Sequence, residues 1–186
     1  MKLLIMGPPG VGKGTQANII KDKLRITHIS TGELLRQEIA QTTEIGIVAK
    51  KYIDQGKLVP DNYLFTIVNE RLGQPDCKDG YILDGFPRTL NQANGLEKIM
   101  GGFDHSLNRA ISLYADEDAL VERLVKRGEN SGRSDDTSQI IRNRQKIYWQ
   151  QTAPLLDFYE ERGLLNNVNG LGEIKEITDR ILTVIK

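Results

Sequence analysis

The 186 residues carry 25 Lys and Arg against 25 Asp and Glu, a formal net charge of +0, which argues against a broad nucleic-acid-binding or anionic-membrane surface. With 39% hydrophobic and 27% charged residues the chain can build a core and stay soluble, and its length fits a single domain. No apolar run approaches the length needed to cross a bilayer, and the N-terminus lacks a secretory cleavage pattern. The single cysteine, Cys77, allows no internal disulfide and no cysteine zinc site, so a reducing cytoplasm is the expected location.

In chain order, the apolar run Lys2–Met6 meets the glycine-rich stretch Gly7-Pro-Pro-Gly-Val-Gly-Lys13-Gly-Thr15, and a half-apolar helical pattern follows to Leu24. This arrangement suits a strand, a phosphate-cradling loop and a helix N-terminus. Gly7, Gly10, Gly12 and Gly14 let the backbone turn tightly and aim N–H groups inward, and Lys13 adds a mobile positive charge. The formula G-x-x-x-x-G-K-[ST] fits from Gly7 to Lys13, but Gly14 stands where the hydroxyl belongs, and Thr15 brings it one place late. That hydroxyl ordinarily touches Mg²⁺, so the metal is expected to be held another way.

Thr27–Ser30 reads as a strand, and Ser30 and Thr31 can both cap a helix that starts at Gly32 or Glu33. A second helical piece, 44–55, stops at Gly56, and Pro60 keeps Lys57–Val59 extended. Asp61 can cap the next helix, which has Leu64, Phe65, Val68 and Leu72 apolar. Tyr81–Asp84 is a short buried strand ending in an acid, Gly85–Arg88 a sharp exit, and Thr89–Met100 a helix stopped by Gly101 and Gly102. Arg109–Tyr114 is a strand, and Asp116 caps a helix with Leu120, Val121, Leu124 and Val125. A polar loop follows. Asp136 and Gln139 have capping-box spacing for a helix from about Ser138, which Pro154 breaks or kinks. Leu164–Val168 is a last strand and Glu173–Ile185 a closing helix.

Alternating strands and helices call for an α/β fold, a parallel sheet with helices on both faces. Ligands in such sheets sit beyond the carboxyl ends of the strands, where the glycine loop and Asp84–Arg88 fall. The stretches 30–59 and 126–136 sit between core elements and read as appendages.

Asp84 at the end of a buried strand needs a positive partner, and hydrated Mg²⁺ on nucleotide phosphates is the natural one. Arg36, Arg88, Arg123, Arg127, Arg133 and Arg144 lie in or beside predicted loops and helix ends. Their guanidinium groups suit phosphate oxygens, and a phosphoryl group passing between two nucleotides needs positive charge on both sides. Cys77 reads as a spectator thiol in a polar loop. His28 and His105 lack metal-ligand spacing and read as structural or surface residues, and Tyr148 and Trp149 as packing residues on a helix.

These residues resemble the adenylate kinase family, in its short-lid form. Gly7–Gln16 is similar to its phosphate loop, including the glycine after the lysine; Thr31-Gly-Glu-Leu-Leu-Arg36 resembles its monophosphate-site motif, and Lys57–Val59 the segment lining the adenine of AMP. Asp84-Gly-Phe-Pro-Arg-Thr89 with Gln92 resembles its most specific signature, and Arg123–Arg127, Ser131–Asp136 and Arg144 resemble its lid and hinges. The match runs through essentially the whole chain, and Gly14 is the family's own pattern.

The resemblance implies a P-loop kinase domain over 1–186, with an AMP-binding segment over 30–59 and a short lid over 126–136. It implies reversible, Mg²⁺-dependent phosphoryl transfer from ATP to AMP, giving two ADP. Gly10, Val11, Gly12, Lys13, Gly14 and Thr15 would cradle ATP phosphates, with Lys13 on the transferring group. Arg123 would lie near the ATP base, Arg127 near its phosphate, and Gly172 near its adenine. The AMP site would comprise Thr31, Arg36, Lys57, Leu58 and Val59, with Gly85, Phe86, Pro87, Arg88 and Gln92. Arg133 and Arg144 would reach across the transfer region and the AMP phosphate, so Lys13, Arg88, Arg123, Arg133 and Arg144 form the implied catalytic set. Asp84 would hold Mg²⁺ through water, while Asp135 and Asp136 at the lid edge have no assigned role. The short lid excludes the four-ligand zinc site of long-lid relatives, so no structural zinc is expected. The expected partners are ATP, AMP and ADP, with no nucleic acid and no membrane, and the expected state is a monomer.

Base choice rests on Gln92 and Thr31. An amide that pairs with adenine's donor and acceptor edge discriminates strongly, because a wrong base leaves it unpaired; the related pyrimidine monophosphate kinases differ near those two positions. A phosphate-loop GTPase switch is the competing class, but the Asn-Lys-x-Asp guanine motif is absent. A nucleotide sensor without catalysis is the other, against which Lys13, Arg88, Arg133 and Arg144 argue.

Overall fold

A computed structural model describes residues 1–116, 120, 121, 123, 124 and 137–185. The expected lid over 126–136, with Arg127, Arg133, Asp135 and Asp136, lies outside the described residues, as does most of the helix expected after Asp116.

Five strands, β1 (Lys2–Met6), β2 (Thr27–Ser30), β3 (Tyr81–Asp84), β4 (Arg109–Tyr114) and β5 (Leu165–Asn169), form one parallel sheet in the order β2-β3-β1-β4-β5. The strands are apolar because both faces are covered. Side chains alternate between faces, so one core gathers Leu4, Met6 and Leu83 and the other gathers Leu3, Ile5 and Ile82. Helix α1 (Lys13–Leu24) and the closing helix α8 (Ile174–Val184) cover the second face with Ala17, Ile20, Ile177 and Ile181. The first face is covered by α2 (Thr31–Ala40), α3 (Glu44–Ile53), α4 (Asp61–Leu72), α5 (Leu90–Gly101) and α7 (Leu155–Glu160).

Register sets the site. Ser30 pairs with Asp84, and Asp84 with Ile5, so β2, β3 and β1 end side by side. The chain leaves β1 toward β2 and later returns to add β4 on the other flank, which places the crevice at the carboxyl end of β1.

Several local expectations change. Helix α1 starts at Lys13, already inside the glycine-rich stretch, because the turn ends at Gly12 in a left-handed conformation with φ of 99°. Only Ser30 caps α2, by accepting from the Glu33 N–H; Thr31 lies inside the first turn and donates its hydroxyl to the Asp84 carbonyl at 3.4 Å. Asp61 is not a cap: Pro60 holds that position, and the Asp61 carboxylate accepts from the side chains of Asn91 and Gln92. The helix α6 (Ser138–Ile147) starts where expected and is capped by Thr137, which accepts from the Ile140 N–H; Asp136 lies outside the described residues. Between α6 and α7 the chain makes a π-helical turn, Tyr148–Thr152, closed by Ala153 N–H donating to the Tyr148 carbonyl at 2.8 Å. Tyr148 packs as expected, but Trp149 is 53% exposed and touches Tyr148 edge-on.

Cys77 belongs to the core rather than a polar loop: it is fully buried on a short 3₁₀ turn, Pro75–Cys77. Burial pushes its thiol pKa up to about 11. Arg71 beside it makes a two-pronged bond to Asp76, at 2.8 and 2.7 Å, which lowers the Asp76 pKa to about 2 despite the opposing effect of burial. A depressed carboxylate contributes stability above its unfolded pKa of about 3.9 and loses it as pH falls toward 2. Asp76 is half exposed, so the contribution is under about 1 kcal/mol. Asp76→Asn is therefore expected to be slightly less stable than the native chain at pH 6, with the gap closing between pH 4 and 2. Thermal unfolding across that range checks it; a gap that persists unchanged at pH 2 contradicts the assignment.

Candidate active site

The glycine loop runs from β1 into α1. At Gly7, φ is +140°, and a Cβ would stand 2.3 Å from the Leu113 carbonyl oxygen of β4, so only glycine fits there. The loop folds over its own lysine: Lys13 Nζ donates to the carbonyls of Gly7 at 2.7 Å and Pro8 at 3.0 Å. Gly14 faces the end of β3, where a Cβ would lie 3.4 Å from Asp84 Oδ2. A Cβ at that distance makes ordinary van der Waals contact with the carboxylate. Thr15, one place later, is exposed and lines the cleft.

Asp84 is 9% exposed. Burial pushes its carboxyl toward the neutral acid, but contact with His28 and the charges of Lys13 and Arg88 outweigh it and hold the pKa below the usual carboxylate value. His28 Nε2 sits 3.5 Å from Asp84 Oδ2, too long for a well-formed hydrogen bond and without another partner among the described residues, so the contact is electrostatic. The other ring nitrogen lies 3.2 Å from Asn18 Oδ1. The His28 side chain is nearly buried against Asp84, so the residue expected to be structural or at the surface sits at the edge of the cleft.

A cleft of about 460 Å³ opens at the carboxyl edge of the sheet. That is the size of a small-molecule site. One wall is the glycine loop with Lys13 and Arg123; Arg123 donates to the Gly170 carbonyl at 3.3 Å. The opposite wall holds Thr31, Arg36, Lys57, Leu58 and Val59, and Gly85, Pro87 and Arg88 emerge from the end of β3. Arg144 of α6 also lines the cleft. Among the described residues the charged lining is therefore Lys13, Arg36, Lys57, Arg88, Arg123 and Arg144 against Glu33 and Asp84. A chain with no net charge concentrates its cations here, which suits a polyanion bound in several parts.

Four expected site residues stand behind the lining. Val11 is buried beneath the loop, Phe86 is buried edge-on against Phe65, and Gly172 lies beside Glu176 and Arg180. Gln92 is fully buried; its Oε1 accepts the Arg88 N–H at 2.7 Å and its Nε2 donates to Asp61 Oδ1 at 2.7 Å. Gln92 therefore braces Arg88 from behind in this conformation. The sequence reading missed Tyr148 and Thr152, which also line the cleft, and the Asp61 contact. No motif marks them, because their partners lie far away in the chain.

An acid with a depressed pKa at the cleft floor, facing a glycine loop and a nearby hydroxyl, fits a hydrated divalent cation carried on phosphates. Among the described residues no group of three or more His, Cys, Asp or Glu is placed to hold a metal by itself.

The comparisons with known proteins point the same way. The family model described as adenylate kinase matches residues 5–164. Adenylate kinase of Leptospira biflexa serovar Patoc is 48% identical over 184 residues, covering 99% of each chain. Adenylate kinase of Bifidobacterium longum is 48% identical over 183 residues, covering 98% of each, and that of Stenotrophomonas maltophilia 47% over 186 residues, covering 100% of each. With its five-stranded parallel sheet, its phosphate loop and full-length identity at this level, the chain belongs to the adenylate kinase family.

Proposed function

We propose that the cleft holds two adenine nucleotides at once and catalyses the reversible, Mg²⁺-dependent transfer of a phosphoryl group from ATP to AMP, giving two ADP. The observation that carries this reading is the two-sided cationic cleft. Lys13 and the glycine loop face it from one wall, and Arg36 and Arg88 face it from the other.

The donor phosphates rest on the backbone N–H groups of Gly10–Thr15, at the positive end of α1. Lys13, which holds its own loop carbonyls here, turns its ammonium to the transferring group. Arg123 and Arg127 serve ATP, with Gly172 near its base. The acceptor phosphate lies against Arg36 and Arg88, with Arg133 and Arg144 reaching across from the other side. Its adenine lies along Lys57–Val59, near Thr31, Gly85–Pro87 and Gln92. Asp84 is the residue that would hold the magnesium ion through its water; when bound, the ion neutralises phosphate charge and aligns the phosphate oxygens. Direct in-line transfer needs no enzyme nucleophile, and the work of the side chains is orientation and charge stabilisation.

Water is the competing acceptor, so the segment 30–59 closes over AMP and the short lid 126–136 over ATP before transfer. Lid closure of this kind is an established property of adenylate kinases. The chain acts as a cytoplasmic monomer with ATP, AMP and ADP as its partners and without structural zinc, nucleic acid or membrane. No helix among the described residues is long and apolar enough to span a membrane.

The test is to give purified protein ADP and Mg²⁺ alone. Equal amounts of ATP and AMP are expected. Failure to form them, or formation of phosphate instead, refutes the reading and favours a nucleotide-binding protein or a hydrolase. With ATP as donor, AMP is expected to be preferred over CMP, UMP and GMP.

A further inference from the structure

Arg88 projects its guanidinium from a stretch that is neither strand nor helix, between the end of β3 at Asp84 and the start of α5 at Leu90. Two side chains hold its backbone. Its N–H donates to Gln92 Oε1 at 2.7 Å, and its carbonyl accepts from Thr152 Oγ1 at 2.9 Å. Its Nε donates to the Gly85 carbonyl at 2.8 Å, so the side chain starts from a fixed root.

Gln92 is close in sequence, but Thr152 arrives from 64 residues away, on the π-helical turn that follows α6. A helical threonine ordinarily returns its hydroxyl to a carbonyl four residues back. Here the Tyr148 carbonyl four back accepts from the Ala153 N–H, and the Thr152 hydroxyl donates outward to the Arg88 carbonyl. Thr152 is 7% exposed, so water competes poorly for that bond. The same continuous element carries Arg144 into the cleft. Helical turns with this widened ladder recur at functional sites, where they redirect a side chain.

We propose that Thr152 is a positioning residue for phosphoryl transfer. Its hydroxyl fixes the peptide plane from which Arg88 reaches the acceptor phosphate, and it ties that arginine to the element bearing Arg144. The two cations on the acceptor side are thereby set relative to each other. This rests on the reading that Arg88 binds the acceptor phosphate.

The experiment compares Thr152→Val, which keeps the shape and removes the hydroxyl, with Thr152→Ser, which keeps the hydroxyl. Arg88→Ala and the double variant Arg88→Ala/Thr152→Val complete a cycle, with kcat, both KM values and thermal unfolding measured for each. Misplacing a charge by a fraction of an ångström is expected to lower kcat of Thr152→Val about tenfold, with KM for ATP unchanged and Thr152→Ser near native. In the Arg88→Ala background the valine is expected to have no further effect, because the group it positions is gone. Should Thr152→Val fail to fold, Thr152→Ala takes its place in the cycle. Native turnover in Thr152→Val beside a crippled Arg88→Ala overturns the proposal, as does a serine variant as impaired as the valine one. An undiminished valine effect in the Arg88→Ala background also overturns it, by showing a general structural role. Native turnover in Arg88→Ala would instead remove the Arg88 assignment, and this proposal with it.

Discussion

Arg88→Ala and Lys13→Ala are each expected to lower kcat by ~10³–10⁵-fold, roughly 4–7 kcal/mol of transition-state stabilisation. Charge spreads over the oxygens of the transferring group, and the two residues face it from opposite walls of the cleft. Neither side chain belongs to a buried apolar cluster. The fold should therefore survive both substitutions. Arg88→Ala leaves the backbone clamp of Gln92 and Thr152 in place, since both bonds go to main-chain groups. Lys13→Ala frees two loop carbonyls that water can satisfy. Steady-state turnover in both directions, with circular dichroism to confirm folding, checks the result. A rate within tenfold of native for either variant would show that the residue does not stabilise the transferring charge.

The second large effect is on stability. Gly7→Ala places a methyl group 2.3 Å from the Leu113 carbonyl oxygen, at a φ of +140° that L side chains rarely adopt. Backbone atoms lie on both sides of that contact, so no rotamer change relieves it. Backbone strain of about 1–3 kcal/mol adds to overpacking of about 1–3 kcal/mol. For a chain of this length the combined cost of about 2–6 kcal/mol corresponds to a fall in Tm of ~4–24 °C. The loop that cradles the donor should distort at the same time, so KM for ATP rises more than KM for AMP. A variant with native Tm and native ATP affinity would mean that β1 and β4 can separate at Gly7 without cost.

What could be read from the sequence was local. Gly7–Thr15 has a turn, a charge and a helix start in consecutive residues, and the structure places Gly7, Gly10, Gly12 and Lys13 against one cleft. Asp84–Arg88 carries an acid and an arginine within one exit turn, and both line the same cleft. The α/β class followed from alternation of apolar runs with helical patterns, since a period is a property of neighbouring residues. The misreadings at helix starts have one cause. Several residues near each start can serve as a cap, and the choice depends on what else the side chain meets. Asp61 was a sound cap by type, but it meets Gln92 and Asn91; Thr31 had the same chemistry as Ser30, but it meets Asp84.

The phosphate loop, the acidic strand end and the kinds of charge available to the site are each written in adjacent residues, and so were legible before any fold was known. The tertiary structure alone decided the strand order, and with it the alignment of Ser30, Asp84 and Ile5 that brings the two walls together. It also decided that His28 lies against Asp84, that Cys77 is core, and that Thr152 holds Arg88. These contacts join residues far apart in the chain. Their energy comes from burial and hydrogen bonds made only after the sheet has assembled, so no local pattern announces them.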